Sequence, residues 1–238
     1  MRIYKDVNLP EARNVIKLDH LPSFDIEDYD LNDPKELNRF FQQVERICRN
    51  SRAYRKMVEF LRDFVDMNKC SFYHNISNIG DYGVKIHIHH EPLTLYDIVS
   101  TVYAKRLDRR EPVTENMVAK EVMYNHYKMM VGLIPLSETV HELVHSGYLF
   151  IPTTKVFGHY KEFVRVYEKY IDPNILRALE KNEQISLTYD FAKETRILNV
   201  NMTYIDPSGS YDFPNSETVI KLLKNRIDEY DSQPNIIP

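Results

Sequence analysis

The sequence predicts an α+β fold that is mostly helical. Three observations carry that prediction. From residue 33 onward, segments with apolar residues three and four apart repeatedly follow capping signals. Two short stretches, Val84–His90 and Val131–Leu136, break that period and read as extended chain. Hydrophobic residues make up 43% and charged residues 28%, a balance that belongs to a folded globular chain and not to a disordered one. At 238 residues the chain is long enough for one large domain or two small ones.

The elements follow in order. Residues 1–33 lack periodicity and end in an acidic run from Asp25 to Asp33, which reads as a solvated arm. Asp33-Pro34 opens a helix with Asp as N-cap and Pro in the first turn, and Leu37, Phe40, Phe41, Val44 and Ile47 form its apolar stripe. A second helix starts at Ser51 with Tyr54, Met57, Phe60 and Leu61 inward. Turn formers between Asn75 and Gly83 separate Cys70–Ile76 from the strand Val84–His90, so a hairpin is expected there. Thr94 caps a helix reaching Arg106, and another runs from Glu115 to about Met130. The extended run 131–136 then feeds a helix carrying His141 and His145, which Gly147 ends. Helices are expected at 159–171 and after Asp172-Pro173, strands within 185–205, and a last helix from Ser216. The chain divides into three blocks, 1–68, 69–152 and 153–238.

Composition narrows the functional classes. A net charge of −4 leaves nucleic-acid contact to local patches. The basic candidates are the helical face with Arg52 and Arg55, and the pair Lys105 and Arg106. Two cysteines, Cys48 and Cys70, do not make a disulfide framework, which fits a reducing compartment. No apolar run is long enough for a membrane span and no apolar leader is visible, so no membrane partner and a cytoplasmic location are expected. Oligomeric state has no sequence signal.

The chemistry lies in the histidines. His141 and His145, four apart, share one helical face. His87 and His89 alternate on one side of a strand that ends in His89-His90. Three neutral imidazoles hold a divalent ion with positions left open, and a fourth near it has the pKa to take a proton from water. His20, His74, His126 and His159 read as ordinary surface or packing residues.

The strand end Ile88-His89-His90-Glu91-Pro92, followed by Leu133-Ile134-Pro135-Leu136 and the His141/His145 helix, resembles the HNH (ββα-metal) endonuclease motif, in the manner of a bacteriophage-encoded member. The resemblance covers residues 70–147 and implies a ββα-metal core with added helices and a C-terminal α/β extension. It implies hydrolysis of DNA phosphodiester bonds, with DNA as partner and Mg²⁺, Mn²⁺, Ni²⁺ or Zn²⁺ as cofactor. His89, His141 and His145 take the metal-ligand positions and His90 that of the general base. For a phage-encoded chain the expected location is the host cytoplasm. The sequence departs from the family pattern in three places. Ser137 and Val140 stand where a structural zinc knuckle has cysteines, and Gly132 stands at about the position of the motif's asparagine.

Two other readings share these atoms. His141-Glu142-Leu143-Val144-His145 matches the His-Glu-x-x-His signature of zinc peptidases, in which Glu142 activates water and His159, Glu162 or Glu168 supplies a third ligand. A catalytically silent DNA-binding or structural protein derived from the HNH fold is the other.

Overall fold

The computed structural model describes residues 29–73, 76–77 and 84–189. Among these the fold is α+β and mostly helical, with seven α-helices and one two-stranded antiparallel sheet.

Helix α1 (Pro34–Asn50) and α2 (Arg52–Phe64) meet at Ser51, whose hydroxyl caps α2 by accepting from the Tyr54 N–H. Strand β1 (Ile86–His90) leads into α3 (Leu95–Asp108), which opens on a reciprocal capping box between Thr94 and Asp97. Helix α4 (Glu115–Tyr127) returns the chain to β2 (Leu133–Ser137), and α5 (Glu138–His145) follows directly. Helix α6 (Tyr160–Tyr167) tightens into a 3₁₀ turn at Glu168–Tyr170, and α7 (Pro173–Thr188) completes the described chain.

Two apolar cores hold these elements. The larger gathers Phe40, Val44, Met57, Leu61, Ile98, Val102, Val122, Leu133, Phe163 and Leu179, so it draws on all three stretches of the sequence. The smaller lies beneath the sheet and α5, around Cys70, Phe72, Ile86, Ile134, Leu136 and Val140. Each such side chain contributes roughly 1.5–3 kcal/mol by leaving water.

Several expectations change. Strand β1 pairs with β2, in the register His89↔Ile134 and His87↔Leu136, and among the described residues no strand pairing joins it to 70–76. That upstream segment closes on itself through a bridge between Lys69 and Ser77. Helices α3 and α4 are an excursion between the two strands, and the backbone returns beside its departure point: the Glu91 N–H donates to the Gly132 carbonyl at 3.0 Å. The strand expected from residue 185 is helical up to Thr188, because the Asp172 cap and Pro173 start a helix long enough to include it. Residues 190–205, the helix from Ser216 and the arm before residue 29 lie outside the described residues.

Candidate metal centre

The centre is built on the β1–β2–α5 unit. In β1, residues two apart share a face, so His87 and His89 point the same way, and the register sets them beside Leu136 and Ile134. Ser137 stands at the N-cap position of α5 with extended backbone, although its hydroxyl makes no capping bond. Val140 turns down into the smaller core and thereby turns His141 and His145 toward β1. Gly147, at φ +75°, ends the helix as the sequence indicated.

One ligand atom from each of His89, His141 and His145 falls within 4.8 Å of the others. The Nε2 atoms of His141 and His145 are 3.1 Å apart. The three rings stand edge-on to one another, at interplanar angles of 82°, 84° and 78°. His145 is exposed while His89 and His141 are half-buried, so the group opens to solvent on one side. Burial first, then the neighbouring His145, His89 and His87 rings, bring the His141 pKa down to about 4, which leaves its lone pair free near neutral pH. Three nitrogen donors converging with one open side suit a divalent ion.

The structure does not bring His90 to this group. Neighbouring strand residues face opposite ways, and His90 lies on the far side of β1 at 5% exposure. There its Nε2 meets Nε2 of His126 at 2.8 Å, beside the Tyr54 ring. His126, read from the sequence as an ordinary residue, is fully buried, and its Nδ1 lies 2.7 Å from the Val122 carbonyl. The fourth imidazole on the triad's side is His87. It stacks on His141 at 4.8 Å between centroids.

The asparagine position is not replaced. A Cβ on Gly132 would sit 1.8 Å from the Glu91 carbonyl oxygen, so no side chain fits there. Asn125 is buried elsewhere, donating from Nδ2 to Tyr167 Oη at 3.0 Å. For the peptidase reading, Glu142 is exposed, and among the described residues the third candidate ligand is His89 upstream and not His159, Glu162 or Glu168.

The basic candidates separate. Arg52 and Arg55 are exposed on α2. Lys105 and Arg106 are instead turned inward: Lys105 Nζ and Arg106 Nη1 each reach a Glu121 carboxylate oxygen at 2.7 Å, with about 15% of either side chain exposed. They tie α3 to α4 and present no free cation to a phosphate. Among the described residues no helix is long and apolar enough to cross a membrane.

Neither the curated proteins nor the solved structures compared with this chain contain a match. A family model does match, over residues 10–209, a span that includes both strands, α5 and all three converging histidines. Its description is Bacteriophage G278-like virion protein, and the chain belongs to that bacteriophage family.

Proposed function

We propose that this virion-family chain carries an HNH-type, metal-dependent endonuclease module acting on DNA phosphodiester bonds. The observation that supports it is the convergence of His89 from β1 with His141 and His145 from α5, on a unit in which β1 pairs with β2 and β2 runs directly into α5. These three would hold the divalent ion, Mg²⁺, Mn²⁺, Ni²⁺ or Zn²⁺. Such an ion supplies a Lewis acid for the phosphoryl oxygen and lowers the pKa of water. The exposed side at His145 leaves room for a phosphodiester, and Arg52 and Arg55 would bear on the DNA backbone. Membership of a virion protein family supports a phage origin. We place the chain in the host cytoplasm, where it would meet DNA.

The sealing of His90 against His126 favours a second reading, in which the module binds metal and DNA without turnover. Plasmid nicking by metal-stripped protein, with each ion added back, separates the two. Cleavage by wild type that is lost in His141→Ala supports the nuclease. Its loss in a folded, metal-binding His90→Ala protein would give His90 the base role despite its burial. Metal uptake with no cleavage under any ion would leave the silent module.

A further inference from the structure

Beside the three converging histidines lies a nitrogen without a hydrogen bond. His87 Nε2 is shut off from solvent and, among the described residues, makes no hydrogen bond. The ring itself is about a quarter exposed, so this is one closed atom on an otherwise accessible side chain. Buried polar nitrogens in folded proteins nearly always have a partner, and an exception beside a candidate site points to a missing ligand.

His87 is poorly placed to be a fourth metal ligand. His89, His141 and His145 stand edge-on to one another and their nitrogens converge. His87 instead lies flat on the His141 ring, at an interplanar angle of 12°. Lone pairs lie in the ring planes, so two nearly parallel, separate planes do not bring them to one centre. His87 therefore stands beside the triad, against His141, and outside the set whose ligand atoms converge.

The charges around it are mixed. Glu138 Oε1 is 3.9 Å from His87 Nε2 and 3.8 Å from Lys85 Nζ, too far for a direct hydrogen bond to either. The Glu138 side chain is more than half exposed and free to turn to water. On the strand's other flank, Arg62 Nη2 donates to the Ile86 carbonyl at 3.2 Å, which adds a fixed positive charge.

We infer that His87 is a positioning residue for an oxyanion: its Nε2–H donates to an oxygen of a phosphate group seated at the His89/His141/His145 triad. This rests on the metal-centre reading above. It deepens that reading by assigning the site a phosphate subsite next to the ion.

The full chain loaded with Co²⁺ tests it, with inorganic phosphate as probe. Visible absorption reports the coordination of the cobalt, and ³¹P line broadening reports phosphate binding beside it. His87→Ala is expected to keep Co²⁺ affinity within about threefold and an unchanged spectrum, while phosphate affinity falls about tenfold, the worth of one charge-assisted hydrogen bond. His87→Gln, whose amide also donates, is expected to restore most of it. His87→Leu carries the same comparison if alanine unfolds the strand. Equal phosphate binding by wild type and the non-donor variant overturns the inference and leaves the metal centre standing. A changed cobalt spectrum, or a loss of Co²⁺ affinity as large as that of His141→Ala, makes His87 a ligand and also overturns it. Failure of the wild type to take up Co²⁺ removes both readings.

Discussion

His90 and His126 share a hydrogen bond of 2.8 Å between their Nε2 atoms, with both rings sealed in the interior. Its direction follows from the neighbours. The Val122 carbonyl, 2.7 Å from His126 Nδ1, only accepts, so that nitrogen carries the proton. Burial above all brings the His126 pKa down to about 4, so the ring is neutral and its Nε2 accepts. His90 is then the donor through Nε2–H, itself held well below the usual histidine range by burial and by the His126 ring. The bond fastens the end of β1 to α4.

Removing the acceptor leaves a buried N–H unpaired and opens a cavity. His126→Ala is expected to lower the unfolding free energy by about 2–4 kcal/mol in urea titration. A loss below about 1 kcal/mol would mean that the interior collapses around the gap or admits water.

The same rings set a pH dependence. His90, His126 and His141 all have depressed pKa values in the folded protein. The unfolded chain takes up protons below about pH 6.5, whereas folded His126 and His141 resist protonation down to about pH 4. Stability is therefore full above the first value and drains away as the pH falls between the two. Urea midpoints measured at about pH 7 and about pH 5 should fall with acidification, and less steeply in His126→Gln. A midpoint that rises in acid would contradict the assignment.

Metal uptake should depend on the triad and not on its strand neighbour. His89→Ala, His141→Ala and His145→Ala are each expected to cost about a hundredfold or more in Ni²⁺ or Zn²⁺ affinity by calorimetry. His90→Ala should leave affinity within a few-fold. Because only the folded chain assembles the three nitrogens, added ion should raise the melting temperature, by an amount equivalent to about 2.7 kcal/mol at a hundred times Kd. Chelator should reverse the shift.

Gly132 is required by contact and not by backbone angle. With the Glu91 carbonyl oxygen 1.8 Å from a built Cβ and a Val156 methyl at 2.7 Å, Gly132→Ala forces the strand ends apart. A loss of about 3 kcal/mol or more is expected by thermal or urea unfolding, with weakened metal affinity because His89 is carried on the displaced strand. Wild-type stability in this variant would refute the close approach.

The two basic pairs should behave oppositely. Arg52→Ala with Arg55→Ala is expected to leave the melting temperature unchanged and to lower DNA affinity, reducing the salt slope by about two. Lys105→Ala or Arg106→Ala strands part of the Glu121 charge in a mostly closed setting and should cost about 2–4 kcal/mol, with little change in DNA affinity. Fluorescence anisotropy across a salt series beside thermal unfolding distinguishes them.

Local chemistry was legible in the sequence wherever near neighbours settle it. Asp33-Pro34, Ser51, Thr94 and Asp172-Pro173 start the helices they were expected to start, because a cap needs only the next few residues. The alternation of His87 with His89 and the four-residue spacing of His141 with His145 fixed which imidazoles share a face. Three matters belonged to the tertiary structure alone. The partner of β1 lies beyond two helices, and pairing at that distance leaves no local pattern in the strand itself. The face of β1 that reaches α5 decided that His87, and not His90, stands beside the triad. The packing of α4 across the other face turned His126 from an unremarkable residue into the acceptor that holds His90, and made Glu121 the inward partner of Lys105 and Arg106. A residue's type and spacing set what it is able to bind. The elements packed against it decide whether that group meets solvent, a neighbour or a ligand.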